Sequence, residues 1–194
     1  ALNTATADQP TAQDYVNVGL PADVAAKLSG DTGAPNLALL NQLVDKAADP
    51  SKVDSPAELE TLAGLANKVM DLAGQTAGAT PAATLTEADF VALGLPGLTD
   101  SQKAAVVGAL QAKAPADVDS LAELQAVANA AKASIDLIAN YADTHSGTAP
   151  SVDDYANIGV TGVRNVASAA GAANKDAINA ALATDNTTGV SRAE

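Results

Sequence analysis

Apolar residues recur at helical spacing along two strips, Leu59, Leu62, Leu65, Val69 and Leu72, then Leu124, Val127, Ala130 and Leu137, with the polar Ser134 interrupting the second. Intervals of three and four residues keep side chains on one face of an α-helix, so each strip predicts an amphipathic helix, the second with a weaker face. Both open on one phrase, VDSPAEL at 53–59 and VDSLAEL at 118–124. Its Ser55-x-x-Glu58 and Ser120-x-x-Glu123 form capping boxes, in which the hydroxyl takes the backbone N–H three residues on and the glutamate reaches back to the cap N–H. Pro56 stands at the first helical position, where a missing N–H costs nothing. A third capping box, SRAE at 191–194, begins the same phrase again at the last residues given.

A shorter pattern recurs three times: TAQDYVNVG at 11–19, TEADFVALG at 86–94 and SVDDYANIG at 151–159. The hydroxyl residue and the aspartate three positions on predict a capped helix start, the carboxylate also favouring the positive end of the helix. Gly19, Gly94 and Gly159 predict left-handed termini after about two turns. Three of the four aromatic residues, Tyr15, Phe90 and Tyr155, share one slot in this pattern, which predicts a core anchor rather than a binding stripe. Tyr141 lies apart, near the end of another helix.

Between the short and the long helix, a middle helix is predicted in each copy. It runs from Asn36 to about Ala48 with Leu37, Leu40, Leu43 and Val44 inward. In the second copy it follows the box Thr99-x-x-Gln102 with Val106, Val107 and Leu110. In the third, Asn174 is the expected cap, with Ile178 and Leu182 facing inward. Residues 21–35, rich in Gly and Asp, read as a loop insertion in the first copy. The predicted organisation is all-α: a linker at 1–9, three-helix repeats at 10–80 and 81–149, and a partial third repeat, helices 1 and 2, at 150–194. Residues 75–84 and 143–150 read as polar linkers. Two helices cannot bury their faces without the third, so the chain is expected to continue as a tandem array; the alternative is a two-helix cap.

Composition sharpens this picture. Net charge is -13 with only 10 Lys and Arg, which disfavours nucleic acid and anionic membranes, because phosphate binding needs a concentrated basic surface. Apolar residues make up 47% but aromatics 2%, so the helices must close small cores of Ala, Leu and Val. No apolar stretch is long enough to span a bilayer, and cysteine is absent, which removes disulfides and thiolate chemistry.

Catalytic signals are poor, and the sequence assigns no catalytic, cofactor-binding or metal-ligating residue. His145 is the single histidine and reads as a solvated linker residue. No G-x-S-x-G elbow and no phosphate-binding loop with its lysine occurs. Asp31, Asp45, Asp49 and Asp54 lack the spacing of a calcium loop. The acids are explained as caps and solvated faces.

The phrases DYANIGVTGV at 154–163 and VDSLAEL at 118–124 resemble the helical tandem repeats of very large surface adhesins and biofilm-associated proteins of Gram-negative bacteria, over nearly the whole chain. The first copy departs from that pattern with Leu20 and Pro21. The resemblance implies an exported, cell-surface protein in which such modules act as stalk or spacer, with neighbouring repeats as partners and no cofactor. The order of short helix, Gly, helix and capped helix is also similar to the albumin-binding three-helix modules of Gram-positive surface proteins. Three functions follow as expectations: foremost a non-catalytic spacer, then a three-helix module engaging a host or matrix protein, and last an enzyme fragment, which rests only on the abundance of carboxylates. An apolar patch shared by successive copies would favour the second.

Overall fold

The computed structural model describes residues 9–47, 53–76, 78–167 and 171–184, with backbone alone at 30–32. The described residues are mostly helical, with no strand among them, as the sequence predicts. The helices are α1 Ala12–Asn17, α2 Ala22–Ala26, α3 Gly30–Lys46, α4 Pro56–Leu72, α5 Glu87–Ala92, α6 Asp100–Gln111, α7 Leu121–Thr144, α8 Val152–Asn157 and α9 Lys175–Thr184. None is long and apolar enough to cross a membrane. The capping box at 191–194 lies outside the described residues.

Side-chain chemistry sets the short helices. The N–H of Asp14, Asp89 and Asp154 donates to the hydroxyl of Thr11, Thr86 and Ser151 at 3.3, 3.2 and 3.1 Å, and each carboxylate takes the cap N–H at 2.8 Å. The chain leaves each helix through a left-handed glycine: φ is 104° at Gly19, 82° at Gly94 and 80° at Gly159. The box at Ser55 and Glu58 forms in full at the start of α4. At α7 it forms by half. Ser120 accepts from the Glu123 N–H at 3.2 Å, while the Leu121 N–H is satisfied by Gln42 Oε1 of α3 at 2.9 Å.

Four sequence expectations change. Residues 21–35 are not a loop: α2 forms within them, and α3 starts at Gly30, six residues before Asn36, with Pro35 inside it. The Gly and Asp content argues against helix, but packing overrides propensity, since a side chain at Gly33 would lie 2.6 Å from the Leu28 carbonyl carbon. Asn174 does not cap α9 with its side chain. That side chain takes the Arg164 N–H at 2.7 Å and donates to the Gly162 carbonyl at 2.9 Å, tying down the preceding loop. The α7 strip turns toward Leu124, Ala128, Ala131, Ser134 and Ile138, leaving Val127, Ala130 and Leu137 only half-buried. Small residues occupy the crowded face because they allow close helix approach, whereas the pattern favoured bulk. Finally, α7 extends through Thr144, so the expected linker begins later and His145 is its left-handed C-cap, at φ 52° and half-buried rather than solvated.

The long helices form the spine of the packing. α4 packs on α2, α3 and α6; α7 packs on α3, α6, α8 and α9. Because α4 is walled on several sides, it buries eight of its 17 residues. One apolar cluster runs from Tyr15 through Leu39, Leu65, Phe90 and Leu110 to Ala131, continuing across the expected boundary at residue 80. Gln75 and Ala79 are correspondingly pinned, with Gln111 Nε2 donating to Gln75 Oε1 at 2.9 Å and to the Ala79 carbonyl at 3.0 Å.

Candidate functional site

Cores built of Ala, Leu and Val have little shape to fix register, and buried polar pairs supply it here. Tyr15 donates its hydroxyl to Asn41 Oδ1 at 2.7 Å, and Asn41 Nδ2 donates to the Pro10 carbonyl at 3.1 Å. Tyr155 repeats the arrangement with Asn179 at 2.6 Å, and Asn179 Nδ2 reaches the Pro150 carbonyl at 2.9 Å. Each clamp ties the entry of a short helix to the middle helix that follows it. Both tyrosines and both asparagines are buried, so each group must be satisfied where it sits. Aligning NLALLN at 36–41 and QKAAVV at 102–107 with NKDAIN at 174–179 puts Val107 in the asparagine register, and in that copy the aromatic is Phe90. Hydroxyl and amide are present together or absent together. The spacing of N-x-x-x-I-N shows in the sequence, but its tie to a tyrosine some 25 residues away needs the packed helices.

Further contacts join the short helices α5 and α8 to the helices before them. Lys68 of α4 meets Asp89 of α5 at 3.0 Å, and Ser134 of α7 donates to Asp154 of α8 at 3.1 Å. Asn157 Nδ2 adds a bond to Ser134 Oγ at 3.2 Å. Asp89 and Asp154 thus serve twice, capping their own helices and accepting from the preceding long one. At the other end of the short helix, Lys46 Nζ donates to the Ala92 carbonyl at 3.3 Å, while α6 and α8 meet backbone to backbone at Gly108 and Gly159. A side chain at Gly108 would lie 2.6 Å from the Ile158 carbonyl oxygen. Gly108 inside a helix was the one sequence signal for this approach.

Charge follows geometry. Burial pushes Asp89 upward, but the Thr86 N–H, Lys68 and the Thr86 hydroxyl outweigh it and hold the carboxyl below its ordinary value. Asp154 is likewise held down, burial being outweighed by bonds from Ser151 and Ser134. In Asp14 and Glu58 the leading cause is the hydrogen bond to the cap hydroxyl, Thr11 and Ser55 respectively. Burial, then the charges of Glu123 and Asp117, pushes Asp119 up. Tyr15 is pushed up to about 12 by burial, with Asp14 adding to it.

Little here resembles a catalytic centre. Among the described residues no three His, Asp or Glu side chains gather to hold a metal. Asp45 and Asp54 are described; Asp31 has backbone alone, and Asp49 lies outside the described residues. His145 sits at a helix end, its Nδ1 buried without a partner. A cleft of about 240 Å³ is lined by Lys27, Asn36, Met70, Asp71 and Pro115, but Lys27 is paired with Asp71 at 2.9 Å and Asn36 with Asn67 at 2.8 Å. No known protein family, curated protein or solved structure matches the chain.

Proposed function

We propose that the chain is a run of tandem helical units, at 10–80 (a three-helix unit with the short α2 added), 81–149 and from 150 onward, serving as a non-catalytic spacer in a secreted bacterial surface adhesin. The units are recognised by the recurring capped short helix with its aromatic and terminal glycine, and they stack through long helices shared by neighbours. One observation carries the spacer over the ligand-binding module: among the described residues, the exposed large apolar side chains do not recur at one register. Val18, Val91, Val160 and Val166 lie at four different places in the unit. Val16 at the register of Val91 is half-buried, and Leu20 at the register of Val160 is buried. A face that engaged the same protein through every unit would present the same apolar residues each time. The acidic, hydrated exterior suits a stalk that must not collapse on itself or on an anionic cell surface.

A display experiment tests this. The chain, in one or two copies, is placed between a cell-surface anchor and a reporter domain of known ligand. Reporter accessibility through a capsule should increase with copy number while its ligand affinity stays constant. Attachment to matrix proteins by cells displaying the chain without the reporter would instead favour the binding module.

A further inference from the structure

We propose that the end face of the first unit, centred on Asp14 and Val18 of the α1 turn, is a docking surface for a preceding repeat unit of the same kind. The inference rests on the tandem-unit reading above and adds residues to it. Val18, Leu93 and Ile158 hold one register position, immediately before the terminal glycine. Leu93 is wholly buried and Ile158 packs against the apolar core, yet Val18 is 56% exposed. Asp14 shows the same contrast. Its counterparts Asp89 and Asp154 accept from Lys68 and Ser134 of the long helix ahead of them, whereas among the described residues Asp14 accepts only from its own cap, Thr11. Where a described long helix precedes the short one, both positions are covered. Where none does, an apolar side chain and a carboxylate with spare acceptor capacity stand open side by side.

The occupant follows from the two covered examples. It is a unit whose long helix offers an ammonium or hydroxyl donor to Asp14 and whose middle helix reaches the end of α1, as Lys46 and Gly108 do at α5 and α8. Complementarity is polar at Asp14 and apolar at Val18, as at the internal junctions, where Asp89 takes an ion pair from Lys68 and Asp154 a hydroxyl hydrogen bond from Ser134.

The chain has no cysteine, so Val18→Cys gives a unique thiol whose reaction with a maleimide reports cover at this position. The rate is compared between the full chain and a fusion in which residues 78–149 are placed ahead of Pro10, reproducing the spacing that joins the second unit to the third. Labelling should slow about tenfold in the fusion, since a covered thiol reacts only on local opening. Leu93→Cys in the unfused chain calibrates the covered state, and Val160→Cys, exposed in both, should label equally in both. Ser134→Ala in the added copy, which leaves the α1 cap intact, should restore part of the lost rate in the fusion. If Val18→Cys reacts at its unfused rate in the fusion, the docking face is wrong. The spacer reading would survive that result, because loosely joined units still span distance; it is decided separately by reporter display.

Discussion

Asn41 and Asn179 give two small cores a single register. An amide buried beside a tyrosine hydroxyl is favourable only when both are present, since an unsatisfied buried polar group costs about 1–3 kcal/mol. Val107→Asn alone should therefore destabilise the chain by about that amount, leaving the amide facing Phe90. Combined with Phe90→Tyr it should recover at least about 1 kcal/mol of the loss in a double-mutant cycle read by urea denaturation. An additive double mutant would show that the two positions do not meet. Titration gives a second check at this scale. Asp14, Glu58, Asp89 and Asp154 all have folded pKa values below their unfolded ones. Such groups stabilise the fold above the unfolded value and lose that contribution as pH falls through the folded one, so melting temperature should drop below about pH 4. Asp119, pushed upward, opposes this with a single group. At the alkaline end the unfolded Tyr15 ionises first, near 10, while the folded one keeps its proton to about 12, so stability should fall between those values. Tyr15→Phe should remove part of that loss, since Tyr155 is also pushed up by burial. The caps themselves were legible in the sequence, because a capping box is complete within four residues. The clamps were not, because their partners lie on separate helices.

For the helices, two glycines with identical propensity have opposite surroundings. Gly64 lies within α4 with nothing near the place a side chain would take, while Gly108 of α6 faces the Ile158 carbonyl. Replacing a helical glycine by alanine ordinarily stabilises by about 1 kcal/mol. Gly64→Ala should gain that much in thermal melts, whereas Gly108→Ala should lose stability despite the same propensity gain. Stabilisation by both would mean that α6 and α8 do not touch. Sequence periodicity located α4, α5, α6, α7 and α8 because caps and spacing agreed. It missed α2 and the first turns of α3, where Gly30, Gly33 and Pro35 argue locally against helix and only packing on Leu28 decides otherwise. In α7 the spacing identified the helix but not its buried face, because alanines at 128 and 131 carry no signal of burial on their own.

At the scale of the whole molecule, the stretches before and after residue 80 are not separate beads. The cluster from Tyr15 to Ala131 crosses residue 80, and α7 packs on α6 behind it and on α8 and α9 ahead of it. α9 shows what a shared wall supplies. Its one buried residue is Asn179, while Ile178 and Leu182 are half-covered, although Val106 and Leu110 at the same register in α6 are wholly buried. The boundaries predicted from sequence follow a recurring phrase and say nothing of how much each stretch leans on the next. The most direct measurement of that dependence is residue-resolved amide exchange on the full chain carrying Ala131→Pro. Proline inside a helix costs about 3 kcal/mol or more and should break α7 at its most buried stretch. The expected result is loss of protection in α6, α8 and α9 together, with α1 to α4 retaining most of theirs. Wild-type protection persisting in α8 and α9 while α7 exchanges freely would contradict it.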